Sequence, residues 1–238
     1  MNTRSMLQPT ELALGGWEQP LRPPLPREQA QLWRIDPVAF GPAVQLWADA
    51  VLDDGEKARA AAFRDAGDRA TYRAAHTGLR LLLGTYLRTL PRDVPLDRLP
   101  CSSCGQPHGR PVVRGHDVHF SLSHSGDICL LAFAASPVGV DVEKVTSPEV
   151  ADEVGPTLHP RETAELRAYD AADRGIAFAR VWTRKEAYLK GLGTGLGRAL
   201  SLDYLGAAPQ GSTAVRGWTV TDVSVGEGHA AALAVRDI

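Results

Sequence analysis

The most regular part of the chain, residues 118–144, reads VHFSLSHSGDICLLAFAASPVGVDVEK. Apolar and polar residues alternate from residue 118 to residue 123, which predicts a strand with one buried face. A Ser-Gly-Asp turn follows, and the continuous apolar run over residues 128–134 predicts a strand covered on both faces. Residues 138–145 form a third candidate strand. This stretch therefore predicts a sheet in the middle of the chain.

Segments of helical and extended character lie on both sides of this sheet. Residues 15–26 are rich in Gly and Pro and predict an extended lead-in, so we expect ordered structure to begin near Gln31. Helices are predicted over residues 53–90, 156–169 and 176–192, and further strands over residues 31–36, 218–225 and 229–235. Each half then has the order strand, helix, strand, strand, which predicts an α+β fold made of two similar halves.

The composition is that of an ordinary globular protein, and it argues against several functional classes. The 238 residues are 44% hydrophobic and 23% charged, which suits one large domain or two small halves. The formal net charge of -2 argues against broad nucleic-acid binding. No segment reaches the roughly 18 apolar residues of a membrane-spanning helix. With no recognisable secretory leader and an odd number of cysteines, we expect a cytoplasmic protein.

Two acidic side chains share one face of the third candidate strand. In residues 138–143, VGVDVE, the valines share one face, while Asp141 and Glu143 project from the other, about 6.6 Å apart along the strand. Carboxylates this close repel each other unless a cation or a proton lies between them, and oxygen ligands suit Mg²⁺. The alternative is an amphipathic strand whose polar face is merely hydrated, which is the commoner situation for this pattern.

One face of the last predicted helix carries a second group of candidate functional residues. At helical spacing Trp182, Glu186 and Lys190 lie on one face, with a carboxylate and an ammonium one turn apart. Such a stripe can complete a metal site and neutralise a phosphate. The alternative is a solvated Glu-Lys pair worth about 0.3–0.5 kcal/mol, and the large apolar side chain of Trp182 argues against it.

Hydroxyls and an imidazole are concentrated where the first predicted strand enters its turn, in residues 120–126, FSLSHSG. Both side-chain types donate hydrogen bonds and His can add charge, so this segment predicts a phosphate pocket. A serine hydrolase is a competing interpretation. It is disfavoured because neighbouring strand residues point to opposite faces and the sequence has no G-x-S-x-G elbow. A plain polar turn is the third possibility.

Three further segments carry weaker signals. The glycines of residues 191–197 follow a helix, so they indicate a helix stop rather than a phosphate-binding loop. Cys101-x-x-Cys104 with His108 resembles half of a zinc site, but a structural zinc ion needs four ligands. The many basic residues of the first long helix are typical of a solvated helix surface.

The order and spacing of the motifs resemble one family. The segments are residues 109–111 (GRP), 120–125 (FSLSHS), 138–143 (VGVDVE) and 182–190 (WTRKEAYLK). Together they are similar to the successive signatures of the Sfp-type 4'-phosphopantetheinyl transferases. Residues 56–59 (EKAR) and the helix after them also resemble the family's first helical region. The resemblance therefore covers the chain from about residue 31 to the C-terminus.

The resemblance implies a fold, an activity and partners. The fold would be the 4'-phosphopantetheinyl transferase fold, a pseudo-twofold pair of α/β halves comprising residues 1–136 and 137–238, joined near Ser136-Pro137. Coenzyme A, the substrate, would bind in the cleft between the halves. A monomeric enzyme would transfer its 4'-phosphopantetheine arm to a serine of an apo acyl or peptidyl carrier protein, with Mg²⁺ as cofactor, and release 3',5'-ADP. Secondary metabolite biosynthesis is the pathway class implied.

The resemblance also implies a role for each motif residue. The implied Mg²⁺ ligands are Asp141, Glu143 and Glu186. The implied coenzyme A contacts are Lys57, Arg73, Arg110, Ser123, His124, Asp141, Lys185 and Lys190. The implied catalytic groups are Glu186, Lys190 and Glu162, and Glu186, Glu162 or a metal-bound water could serve as the base. Ser121 replaces the family's Asn and Arg110 its Lys, and neither departure removes a metal ligand.

Two rival interpretations stay open. One is a catalytically silent module that binds coenzyme A or a carrier protein. The full set of acidic residues, together with Lys190, argues against this interpretation. The other is a zinc-containing interaction domain built around Cys101 and Cys104.

Overall fold

The computed structural model describes residues 6–12, 30–101, 105–106, 109–209 and 212–237. The lead-in predicted over residues 15–26, and Cys104 and His108 of the candidate zinc site, lie outside these ranges. Helices and strands are mixed through the described chain, which confirms the predicted α+β composition. None of the helices within those ranges is both long and apolar enough to span a membrane.

Ten strands form two four-stranded sheets and one short pair within the described residues. They are β1 (Thr10–Glu11), β2 (Gln31–Ile35), β3 (Leu96–Arg98), β4 (Pro111–Val113), β5 (His119–Ser125), β6 (Ile128–Ala134), β7 (Val138–Lys144), β8 (Ser212–Val215), β9 (Trp218–Asp222) and β10 (His229–Arg236). The first sheet has the order β1-β2-β6-β5 and the second the order β7-β10-β9-β8, while β3 pairs with β4. Apart from the parallel β1-β2 pair, all neighbouring strands are antiparallel.

Six α-helices connect these strands in the part of the chain that is described. They are α1 (Gly41–Val51), α2 (Asp54–Ala61), α3 (Ala66–Leu87), α4 (Pro148–Val154), α5 (Pro160–Arg167) and α6 (Ala171–Leu192). The prediction of a single helix over residues 53–90 is wrong, because α2 and α3 are separate helices. Asp53 and Asp65 each cap a new helix by accepting the backbone N–H three residues later. No helix was predicted from the sequence at the position of α1.

The central strands agree closely with the prediction. The apolar strand is confirmed as β6, in which every residue is buried. The strands before and after it in the chain, β5 and β7, begin and end within two residues of the predicted bounds.

The two sheets share one apolar core. A single buried cluster contains Leu32 of β2, Leu130 of β6, Val140 of β7 and Leu233 of β10. We call this cluster the shared core. Residues on the inner side of both sheets exclude water together, so the sheets are packed against each other through apolar contacts.

Gly139 allows α6 to approach β7 closely. A Cβ atom at this position would lie 1.9 Å from the carbonyl oxygen of Ala187 and 2.5 Å from the amide nitrogen of Gly191. Both contacts are with backbone atoms, so a side chain would fit only if the helix moved away. This glycine therefore determines how near the side chains of α6 come to those of β7.

We expect Gly139→Ala to lower the free energy of unfolding by about 2–3 kcal/mol, because backbone atoms have no alternative rotamer that would relieve the clash. Gly41→Ala is the matched control, since a Cβ atom there meets nothing within 4 Å. Urea denaturation of both variants measures the effect. Equal unfolding free energies for the two variants would show that the helix is not held at this distance by Gly139.

Candidate functional site

The two faces of β7 have different environments. Val138, Val140 and Val142 are buried in the shared core. Asp141 and Glu143 alternate with them and project from the opposite face. Asp141 is only 2% exposed and Glu143 is half-buried. One strand thus holds two carboxylates in a partly dehydrated environment.

A stripe of α6 faces these carboxylates. Trp182, Glu186 and Lys190 line the same cavity, of about 380 Å³, as Asp141 and Glu143. The remaining lining residues are Leu122, Ser123 and His124 of β5. We call this space the acidic cavity. The structure brings the three predicted Mg²⁺ ligands to one place, together with Lys190.

Lys190 is the counter-ion of Asp141. Its Nζ atom lies 2.6 Å from Asp141 Oδ1 and 3.0 Å from Ser123 Oγ. Ser123 donates a 2.8 Å hydrogen bond to the same carboxylate oxygen. The other oxygen, Asp141 Oδ2, is buried and has no hydrogen-bond partner among the described residues. A buried oxygen in this state favours a nearby cation or proton.

Burial raises the pKa of all three carboxylic acids in the acidic cavity. For Asp141, burial raises the pKa and Lys190 opposes the rise. The pKa of Glu143 is raised by burial and then by the charge of Asp141. The pKa of Glu186 is raised by the same two causes, and Lys190 partly opposes them. When all three are ionised, one ammonium faces three carboxylates, and two negative charges are uncompensated.

The donor set suits a divalent cation that prefers oxygen ligands, such as Mg²⁺. Three carboxylates, two uncompensated charges and the unpartnered Asp141 Oδ2 all favour such an ion. Within the described ranges, however, no group of three His, Cys, Asp or Glu side chains has the arrangement of a metal site. Lys190 takes the position of the cation beside Asp141. Metal binding would therefore require these side chains to move closer together.

A larger cavity of about 1000 Å³ adjoins the acidic cavity, and Leu122 and Lys190 line both. Arg110, next to β4, and the glycines of the turn after α6 also line it. The Nη1 atom of Arg110 donates a 2.8 Å hydrogen bond to the carbonyl oxygen of Gly191 at the end of α6. Burial lowers the pKa of Arg110. A cavity of this volume is large enough for a nucleotide-sized ligand.

His124 lines the acidic cavity at the end of β5. Burial lowers its pKa, and the positive charges of His76 and Lys190 lower it further. The imidazole is therefore mainly neutral at pH 7 and is available as a hydrogen-bonding group. The positive charge that the sequence suggests for His124 is opposed by these neighbouring cations.

Tyr72 and His76 are cavity residues that the sequence analysis did not identify. They lie one turn apart on α3, line the large cavity and stack with ring centroids 4.0 Å apart. His76 Nδ1 lies 3.2 Å from Oε1 of Glu56, which lines the same cavity from α2. Burial raises the pKa of Tyr72 to about 12, so its hydroxyl remains protonated. Their spacing of four residues was the available signal, but it does not distinguish a cavity face from a core face.

Two predicted coenzyme A contacts lie on the periphery of this site. Arg73 is hydrogen-bonded to α1, with Nη2 3.4 Å from Asp49 and Nη1 3.5 Å from Gln45. Neighbouring helix residues point in directions about 100° apart, so Arg73 and the cavity-lining Tyr72 face different surroundings. Lys57 is half-exposed on α2, directly after the cavity-lining Glu56.

The structure does not bring Glu162 or Lys185 to either cavity. Glu162 Oε2 lies 2.8 Å from Lys185 Nζ, and the two side chains are 0% and 3% exposed. Glu162 Oε1 accepts the backbone N–H groups of Leu205 and Gly206 at 2.7 and 3.2 Å. Lys185 donates to two carbonyl oxygens of the same loop. The pair therefore holds the loop that follows α6 in position. Glu162 was expected to be a base and Lys185 a coenzyme A contact, and the structure shows neither side chain at either cavity.

Comparison with known proteins extends this description. Residues 137–232 match the family model of the 4'-phosphopantetheinyl transferase superfamily. The 4'-phosphopantetheinyl transferase Sfp of Bacillus subtilis is 33% identical over 127 residues, which are 52% of this chain and 55% of Sfp. A 4'-phosphopantetheinyl transferase of Bacillus subtilis is 31% identical over 164 residues, 66% of this chain and 72% of that protein. The 4'-phosphopantetheinyl transferase HetI of Nostoc sp. is 30% identical over 178 residues, 72% of this chain and 71% of HetI.

The aligned part of the chain spans about half the length of Sfp and about seven-tenths of the other two relatives. Carboxylic acids with raised pKa values and a lysine beside a large cavity are typical of an enzyme. With these matches, the chain belongs to the 4'-phosphopantetheinyl transferase superfamily, a family of transferase enzymes. The resemblance predicted from the motifs is confirmed.

Proposed function

We propose that the protein transfers the 4'-phosphopantetheine arm of coenzyme A to a serine of an apo acyl or peptidyl carrier protein. The serine oxygen forms a bond to the β-phosphorus of coenzyme A, the bond from that phosphorus to the bridging oxygen breaks, and 3',5'-ADP leaves. The observation that carries the proposal is the convergence of three carboxylates and Lys190 on one cavity beside a second, nucleotide-sized one. The identity of the transferred group is taken from the names of the relatives, which are 4'-phosphopantetheinyl transferases.

The proposed ligands of Mg²⁺ are Asp141, Glu143 and Glu186. A divalent cation bound there would neutralise pyrophosphate oxygens and the charge that develops on the leaving phosphate. The unpartnered Asp141 Oδ2 supports this assignment, because a buried carboxylate oxygen without a hydrogen-bond partner favours a nearby cation. The raised pKa values agree with it, because burial disfavours the charged carboxylates unless a cation lies close to them.

Lys190 and Arg110 are the proposed phosphate-binding cations of the chain itself. Lys190 lines both cavities, so its ammonium can bind a phosphate oxygen of a ligand that extends from one cavity to the other. Arg110 would contact the 3'-phosphate from the large cavity, with His124 as a hydrogen-bond donor from the acidic cavity. Ser123 could donate to the same phosphate only after releasing its hydroxyl hydrogen from Asp141. Lys57, which follows the cavity-lining Glu56 but does not itself line the large cavity, would contact the same phosphate from its edge.

Glu186 is the candidate base for the serine proton. It lines the acidic cavity, and a carboxylate is a common general base. We assign Glu162 a structural role, because both of its carboxylate oxygens are engaged in buried contacts.

We also propose that residues 1–136 and 137–238 are two halves related by a pseudo-twofold axis. Ser136-Pro137 connects β6 of the first sheet to β7 of the second, and each half contributes one four-stranded sheet. One chain would then supply both sides of the coenzyme A cleft, as a monomer requires. A cytoplasmic location would follow from the proposed use of coenzyme A and carrier proteins.

Incubation of the protein with Mg²⁺, coenzyme A and an apo carrier protein tests the function, with the intact mass of the carrier as the measurement. We expect the carrier to gain one phosphopantetheine group, and we expect EDTA to prevent the gain and added Mg²⁺ to restore it. A carrier whose acceptor serine is replaced by Ala is the control. If no fatty-acid, polyketide or peptide-synthetase carrier is modified, the proposal is wrong. Coenzyme A binding without transfer would identify a silent binding module instead.

A further inference from the structure

Serine hydroxyls join the outer strands of the two sheets. β5 and β7 belong to different sheets, and each is the outermost strand of its own sheet. Ser121, Ser123 and Ser125 occupy alternate positions of β5, so they lie on one face of that strand. Their Oγ atoms accept backbone N–H groups of β7 at 3.0, 3.4 and 3.2 Å, from Val140, Val142 and Lys144. We call these three contacts the serine ladder.

Two members of the serine ladder make a second contact with β7. Ser123 Oγ donates to Asp141 Oδ1 at 2.8 Å, and Ser125 Oγ donates to Glu143 Oε2 at 3.2 Å. In both cases the carboxylate belongs to the residue just before the N–H that the serine accepts. For Ser121 the corresponding residue is Gly139, which has no side chain. The serine ladder thus includes one member that bonds only the backbone.

We propose that Ser125 is a positioning residue for the carboxylate of Glu143. The Lys144 N–H orients the Ser125 hydroxyl, and the hydroxyl hydrogen then fixes one oxygen of Glu143. Glu143 is half-buried and has three rotatable bonds, so without this contact its carboxylate can adopt several orientations. The inference rests on the proposed function, in which Glu143 is a metal ligand. Hydrogen bonds to ligating carboxylates typically change metal affinity about 10- to 100-fold.

Calorimetric titration of the protein with Mn²⁺, in the absence of coenzyme A, tests this role. We expect Ser125→Ala to raise the dissociation constant of Mn²⁺ about 10-fold. Ser125→Thr keeps the hydroxyl and suits a strand, so it should stay within about 3-fold of the original affinity. Ser121→Ala is the matched control, because it loses the same kind of backbone contact but no carboxylate contact. Its Mn²⁺ affinity should be unchanged.

A double variant shows whether Ser125 acts through Glu143. Glu143→Gln combined with Ser125→Ala should bind Mn²⁺ no more weakly than Glu143→Gln alone, since the hydroxyl then has no carboxylate to orient. Unchanged affinity in Ser125→Ala would overturn the positioning role while leaving the proposed metal site intact. An equal loss in Ser121→Ala would also overturn it, because the affinity would then depend on the contact between the sheets.

Failure of the proposed function gives a different result. If the unmodified protein binds no Mn²⁺ and modifies no carrier, the metal site and the role of Ser125 are both wrong. If it binds Mn²⁺ and Ser125→Ala weakens that binding, the positioning role is supported whichever carrier protein is the partner.

Discussion

Glu186→Gln is expected to lower kcat/KM for phosphopantetheine transfer by about 100- to 1000-fold and, at the same time, to raise the thermal stability of the metal-free protein. The loss of activity corresponds to about 3–4 kcal/mol of transition-state stabilisation, the size expected when a metal ligand that is also the candidate base is removed. The gain in stability is expected because the folded protein is a poor environment for this negative charge.

The direction of the stability change follows from the pKa of Glu186. Burial and the charge of Asp141 raise this pKa above its ordinary value, although Lys190 partly opposes them. The folded state then binds the proton more tightly than the unfolded state, so ionisation destabilises the fold. The destabilisation is absent below the pKa of the unfolded chain and grows as the pH rises through the pKa of the folded protein. The Glu186→Gln substitution removes this destabilisation, because glutamine does not ionise.

Two measurements check this prediction. Calorimetric melting in EDTA should give a higher Tm for Glu186→Gln at about pH 8, and the difference should disappear at about pH 4, where the glutamate is protonated in both states. Glu153→Gln, an exposed position on α4, is the control and should change neither Tm nor transfer. Full transfer activity in Glu186→Gln would mean that the metal site has been assigned to the wrong residues.

Lys185→Met is expected to lower the free energy of unfolding by about 3–5 kcal/mol, although Lys185 touches neither cavity. The substitution leaves the carboxylate of Glu162 buried without its cation. It also removes the donor from two carbonyl oxygens of the loop after α6. The double variant Glu162→Gln/Lys185→Met should recover most of the loss, because an uncharged amide has a far smaller cost of burial.

Urea denaturation of the single and double variants measures this coupling. Lys57→Met, at a half-exposed lysine, serves as the stability control. The pH dependence of kcat in Glu162→Gln separates a structural role from a catalytic one, since only loss of a base would remove an ionisation from the profile. A lost ionisation in that variant would restore Glu162 as the base.

The strands and faces near the site could be predicted from the sequence because they depend on short-range alternation. The pattern over residues 118–144 fixes which side chains of β5 and β7 point to the same face. That was enough to bring Asp141 and Glu143 together. The resemblance of the ordered motifs to the family then implied that Glu186 and Lys190 belong to the same site.

Other features depend on contacts that the sequence does not encode locally. Lys185 and Glu186 are neighbours in one motif, yet their directions on α6 differ by about 100°, and only the packing of α6 decides which one reaches the cavity. The resemblance to the family made Arg73 of α3 a candidate contact of coenzyme A, and the same ambiguity of direction left Tyr72 unidentified. The break between α2 and α3 was also missed, because the caps at its two ends lie within an otherwise continuous helical composition.

The shared core affects how the two halves can diverge in evolution. Leu32 and Leu130 from the first sheet are in the same buried cluster as Val140 and Leu233 from the second. A change of side-chain volume in one half must therefore be matched by a compensating change in the other. Natural drift, or a chimera that recombines halves from two relatives, is constrained at these positions, while the surfaces away from the cluster can vary independently.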